Sequence, residues 1–260
     1  MAIRRDPTEL GKYLKLFVYG QPGCGKTRLV ATTVEDPRFG NCLMLEAFGN
    51  PVSLRKVAHP DIISIEGLSD FNDPYDWLLN GQDPKHPYCK QMGLKPPYKT
   101  LIIDGTTEVQ RYIVRTVTRD LDIGPGDLTS AMQRQGFGQL LGTLLHWASL
   151  FVNLDMNVIL TGLEALKTPE GAIAHTEPLI WGQAGLEICG YVYMVMRLSV
   201  KARVDPEFKG QLDVASADTE RVGQIWPTLR TYAKDQYDCG IDYIVNPTMS
   251  KIMDLVEPGS

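Results

Sequence analysis

Apolar residues in this chain fall into short runs that stop at glycine, threonine or an acidic residue. Residues 13–19 (YLKLFVY) are apolar and aromatic, end at Gly20 and read as a strand. Residues 26–34 then have helical composition and stop before Asp36-Pro37. Further strand-like runs are 42–45, 62–65, 101–103 and 158–160. Between them lie helical patterns. Residues 70–79 offer Asp70 as an N-cap. Residues 106–119 offer Thr106 as a cap, with Val109, Ile113 and Val117 on one face. Residues 137–154 are rich in Leu and include Trp147 and Phe151, and 249–256 follow the lead-in Asn246-Pro247-Thr248. Strands alternating with helices predict an α/β fold, a mainly parallel twisted sheet flanked by helices.

The breaks in this pattern set the organisation. Residues 80–99 hold Pro84, Pro87, Pro96 and Pro97 with Gly81 and Gly93, and read as a surface loop or insertion. Residues 122–127 (DIGPGD) read as a flexible break, and 167–175 as a hairpin or mobile loop. Residues 191–200 form a strand, and 224–226 and 229–233 shorter ones suited to antiparallel pairing. The expected layout is an extension over 1–12, one domain over 13–256 and a tail over 257–260.

Composition acts mainly by exclusion. A chain of 260 residues with 43% hydrophobic and 22% charged residues suits one sizeable domain rather than a disordered polymer. A net charge of −5 disfavours a surface that coats nucleic acid throughout, while leaving room for a local basic groove. No apolar run approaches the ~18–20 residues that span a bilayer, and Arg4-Arg5 has no apolar stretch behind it, as a secretory signal needs. Five scattered cysteines without a C-x-x-C pair read as free thiols in a reducing compartment. His86 and Cys89 alone make a weak zinc case. A cytoplasmic protein without membrane contact is expected.

The first element of chemistry is Gly20-Gln21-Pro22-Gly23-Cys24-Gly25-Lys26-Thr27, which fits G-x-x-x-x-G-K-[ST] between a strand and a helix. The glycines let the backbone wrap a phosphate with its N–H groups inward, and the following helix adds a favourable dipole. Lys26 is expected to reach the β- and γ-phosphates and Thr27 to ligate Mg²⁺, with Arg28 beside them. Cys24 sits inside the loop, so its alkylation should block nucleotide binding. Such a loop needs a carboxylate at the end of a neighbouring strand for the Mg²⁺ hydration shell, and Asp104 after Leu101-Ile102-Ile103 is the match. Because Gly105 follows, the acid that polarises the attacking water must come from elsewhere. Glu46 is the first candidate, at the end of a strand expected beside the loop's own strand. Glu108 is the second and Glu164 the third, and Thr161 at its strand end is placed to sense the γ-phosphate. ATP is preferred over GTP because the chain has no N-K-x-D motif.

The succession GQPGCGKT, LIIDGTTEVQR, NVILTGLEA and LRTYAKDQ…NP resembles the phage-type AAA/RecA-like P-loop ATPases over about residues 13–256. The resemblance implies a RecA-like core, ATP and Mg²⁺ as cofactors, and a homo-oligomer. It also implies action on single-stranded DNA in phage recombination or replication beside a single-strand-binding protein, in the host cytoplasm. Lys26, Thr27 and Asp104 carry over directly. Lys234 is similar to the first residue of a K-x-R element that contacts the γ-phosphate in related oligomeric ATPases, often across a subunit interface, but Gln236 stands where the arginine is expected. Residues 46–50 also depart from the E-G-G-like stretch common in that family.

Two loops suit DNA contact: 120–139 with Arg134 and Phe137, and 167–181 with Lys167, His175 and Trp181. The alternative is a nucleotide-dependent switch or assembly factor with weak hydrolysis that recruits a protein partner. A small-molecule kinase ranks below both, since residues 80–99 hold lysines and no arginine for a lid.

Overall fold

The computed structural model describes residues 11–49, 51–120, 136–168, 171, 173–202 and 219–257. The described strands form one mixed sheet in the order β10-β8-β7-β1-β5-β4-β2-β3. They are β1 (Lys15–Gly20), β2 (Asn41–Glu46), β3 (Asp61–Ser64), β4 (Tyr98–Asp104), β5 (Asn157–Lys167), β7 (Met194–Ala202), β8 (Thr219–Gln224) and β10 (Tyr243–Val245). Two short strands join from the side: β6 (His175–Pro178) pairs with β5, and β9 (Lys234–Asp235) with β7. The run from β7 through β1, β5, β4 and β2 to β3 is parallel, and β6, β8, β9 and β10 pair antiparallel. The expected mainly parallel α/β sheet is therefore present.

β1 is buried at every position, so the period-2 alternation sorts its side chains between two apolar layers rather than between core and solvent. Phe17 and Tyr19 face helices α4 (Thr106–Asp120), α5 (Phe137–Val152) and α6 (Ala184–Tyr191), where Val109, Ile113, Leu144 and Phe151 are buried. Leu16 and Val18 face α1 (Lys26–Ala31) and α7 (Met249–Val256) through Leu29, Val30, Ile252 and Met253.

Several local readings are corrected. β2 does not lie beside β1: β5 and β4 stand between them, and β5 also separates β4 from β1. The helix after the loop is α-helical only to Ala31 and tightens to a 3₁₀ turn over Thr32–Glu35. There Thr32 and Thr33 donate their hydroxyls back to Leu29 O and Val30 O, and the run is β-branched. Asp70 does not cap an α-helix. Its carboxylate accepts from the Glu66 and Gly67 amides at 2.9 and 3.0 Å, and α2 (Asn72–Leu79) begins after that turn.

Residues 80–99 are not a surface loop throughout. They carry α3 (Pro87–Met92) and the start of β4, bury Tyr88 and Tyr98 against Trp77, and bury Cys89 in the same apolar cluster. His86 accepts from the Tyr88 amide as the cap of α3, and no group of three or more metal-ligating side chains exists among the described residues. The strand expected over 191–200 starts at Met194, because Tyr191 still belongs to α6. The break at 122–127 and most of the loop 120–139 lie outside the described residues. No helix among the described residues is long and apolar enough to cross a membrane.

Candidate nucleotide site

The site is assembled at the carboxyl ends of β1, β5, β4 and β2. Register brings the functional positions level: Val18 with Thr161, Thr161 with Asp104, and Asp104 with Glu46. Ligands in open α/β sheets gather at this edge.

The Gly20–Thr27 turn leaves β1 there. Gly20 is required by close approach: a Cβ on it would sit 2.2 Å from the Leu198 carbonyl oxygen and 3.0 Å from Cys24 Sγ. Gly23, at φ 79°, is required by backbone conformation alone, since nothing lies within 4 Å of its Cβ position. Lys26 is buried and folds its ammonium back into the turn, donating to Gly20 O and Gln21 O at 2.9 Å each. Its third partner is Cys24 Sγ at 3.8 Å, and a strongly solvated cation kept out of water with only neutral partners is poised for an anion. Cys24 is buried beside it, and that burial raises its thiol above the ordinary value of 9.0. Arg28 points to the exposed side of α1.

Thr27 Oγ1 donates to Asp104 Oδ2 at 2.7 Å. Thr161 donates its hydroxyl in a short bond to Asp104 Oδ1, and accepts from the Gly105 amide at 3.1 Å. Its single proton is thus committed to Asp104, and Thr161 positions that carboxylate. Asp104 and Thr27 together present oxygen donors only, the set a hard divalent cation such as Mg²⁺ takes beside a phosphate.

Glu46 is buried at the end of β2. Its Oε1 accepts from the Phe48 amide at 2.8 Å and its Oε2 from the Gly49 amide at 2.9 Å. Ala47 N donates to Asp104 O, and the Tyr112 hydroxyl lies 2.7 Å from Ala47 O and 2.9 Å from Ile65 O. The carboxylate is therefore fixed one strand beyond Asp104. Glu108 is tied to Arg111 at 2.6 Å on α4.

Lys234 stands elsewhere. It lies on β9 level with Val195, and so with Phe17, short of the edge where β1 ends. Its ammonium donates to the carbonyls of Cys189, Gly190 and Val192 at 3.1, 3.2 and 2.7 Å, closing the end of α6. Burial lowers its pKa.

Three residues near the turn were not assigned to phosphate binding by the sequence reading. Arg197 Nε donates to Glu164 Oε2 at 2.9 Å and Nη2 to Oε1 at 3.3 Å, beside the apex of the turn. Arg221 donates from Nε to Cys24 O at 3.1 Å, with its guanidinium against Gly25. A charged residue inside the apolar run 191–200 was the available signal for Arg197. Nothing local marked Arg221.

A family model described as an AAA domain matches residues 12–237. No curated protein matches the chain.

Proposed function

Because the chain belongs to the AAA-domain family of P-loop ATPase type, we propose that it binds ATP on the Gly20–Thr27 turn and hydrolyses it to ADP and phosphate. The observation that carries this reading is the 2.7 Å bond from the turn's Thr27 to the strand-end Asp104, which joins the two halves of such a site. Magnesium, held by the Thr27 hydroxyl and through its water shell by Asp104, would neutralise charge on the β- and γ-phosphates.

The remaining work falls to the chain. The turn's amides and Lys26 bind the phosphate oxygens, and Lys26 exchanges the Gly20 and Gln21 carbonyls for them. Thr161 keeps Asp104 oriented. Glu46 orients a water and takes its proton as the water oxygen bonds the γ-phosphorus and the bond to ADP breaks. Lys234 holds α6 in this reading.

Single-stranded DNA is the proposed effector, on the resemblance of the motif order to phage recombination ATPases, with assembly into a homo-oligomer. A second reading, a nucleotide switch with weak turnover, draws on Glu46, whose two oxygens are each already held by a backbone amide.

Hydrolysis by the purified chain, with and without single-stranded DNA and beside Lys26→Ala, tests these readings. A rate raised by DNA and lost in Lys26→Ala is expected. Tight ATP binding without DNA response selects the switch. Full activity in Lys26→Ala would falsify the site.

A further inference from the structure

A cavity of about 350 Å³ opens beside the apex of the turn, lined by residues 21–24 and by Glu164, Arg197 and Ser199 among others. Among its lining residues Arg197 is the only cation. The Arg197–Glu164 pair spans the strands on either side of β1, with Arg197 in register with Tyr19 and Leu163 with Gly20. It therefore crosses the point where β1 becomes the turn. The two side chains are largely withdrawn from water, with 23% and 8% exposure.

We infer that Arg197 is a second cationic contact, beside Lys26, to the terminal phosphate of a nucleoside triphosphate, and that Glu164 holds it in place until that phosphate arrives. The inference rests on the nucleotide reading of the Gly20–Thr27 turn. A turn of this type cradles the β- and γ-phosphates from its backbone and lysine, and Arg197 shares a cavity with its apex. A guanidinium matches phosphate as well as carboxylate in planar, two-bond geometry, so exchange of one for the other keeps its hydrogen bonds. The pair engages Nε and Nη2 and leaves N–H groups over for an incoming anion. A carboxylate beside an arriving triphosphate is a like charge, and the guanidinium between the two anions offsets that repulsion. Arg197 thereby supplies the second positive charge that Gln236 does not. In these terms Arg197 touches substrate and Glu164 is a positioning residue.

The test is calorimetric titration with ADP and with a non-hydrolysable ATP analogue, both with Mg²⁺. The proteins are the full-length chain, Arg197→Ala, Glu164→Gln, the double variant and Lys26→Ala. A hydrogen bond to a charged group lost only with the triphosphate weakens the ATP analogue by about 10-fold or more in Arg197→Ala. ADP affinity should stay within about threefold of the unsubstituted chain. Glu164→Gln frees the arginine and tightens the ATP analogue, with the opposite sign to Arg197→Ala. A merely structural pair moves both variants the same way, or moves ATP and ADP equally, and either result overturns the inference. If a single variant does not fold because a buried charge is stranded, the double variant removes both charges at small net cost. Its ATP-to-ADP ratio then decides: a ratio like that of the unsubstituted chain overturns the inference. Unchanged binding of both nucleotides in Lys26→Ala sinks the nucleotide reading itself, which is a separate outcome.

Discussion

Replacing Gly20 by Ala separates crowding from backbone strain in the turn. The added methyl carbon would lie 2.2 Å from the Leu198 carbonyl oxygen, whereas carbon and oxygen settle at about 3.3 Å or more. About 1 Å must therefore open between the end of β1 and β7. Neither strand yields freely, because Val18 and Tyr19 are paired in register with Met196 and Arg197 and both strands lie in the sheet interior. Overpacking of this kind costs about 1–3 kcal/mol, and each ladder bond given up adds about 1 kcal/mol. With one ladder bond given up, a total of about 2–4 kcal/mol is expected. Gly23→Ala is the control. Its φ of 79° costs about 1–2 kcal/mol for a residue with a side chain, offset by about 0.4–1 kcal/mol from a stiffer unfolded chain. Nothing crowds its Cβ, so its net cost is about 0–1.6 kcal/mol. Urea unfolding followed by circular dichroism on both variants reads the difference. A Gly20→Ala midpoint as high as that of Gly23→Ala refutes the packing argument.

Thr161→Val leaves the Gly105 amide without its acceptor and Asp104 without one donor, and should cost about 2–3 kcal/mol in the same urea assay, with Thr161→Ser close to the unsubstituted chain. Because burial raises the Cys24 thiol, its alkylation should be slow at pH 7 and should accelerate as pH climbs past 9.0, with protection by ATP; mass spectrometry of quenched samples follows it, and rapid modification at pH 7 contradicts the burial argument. Asp36, held to about 2 by hydrogen bonds from Arg38, contributes stability that is whole above its unfolded value of 3.8 and is lost as pH falls through 2. Arg38→Ala should thus lower stability by about 1–2 kcal/mol at pH 7, and the gap to the unsubstituted chain should close near pH 2.

The parts of the site written in adjacent residues were legible. Gly20–Thr27 is one uninterrupted pattern, and Asp104 ends an apolar run, so the sequence alone indicated a turn and a strand-end acid. Which strands neighbour one another is not local information. That β5 separates β1 from β4 shows only in the assembled sheet, and both strands read simply as apolar runs. Residues 80–99 misled for a related reason: the prolines and glycines are conspicuous, while the aromatic contacts of Trp77 with Tyr88 and Tyr98, at centroid distances of 6.1 and 6.0 Å, join positions far apart in the chain. Lys234 shows the same limit at one residue. A linear motif suggests a phosphate contact, but the fold gives its ammonium three carbonyls at the end of α6. The K-x-R element puts its second positive charge two residues after Lys234, where this chain has Gln236. The sheet brings one to the turn by another route, since parallel pairing of β7 with β1 sets Arg197 against Tyr19, next to the first residue of the turn. In a parallel sheet the carboxyl ends of all strands share one edge, so a charged residue near the end of any of them is within reach of the site. The useful sequence signal is therefore a charge that closes an apolar run, whatever motif surrounds it: Asp104 follows Leu101-Ile102-Ile103 at the end of β4, and Arg197 follows Met194-Val195-Met196 level with the end of β1, although β7 itself continues to Ala202.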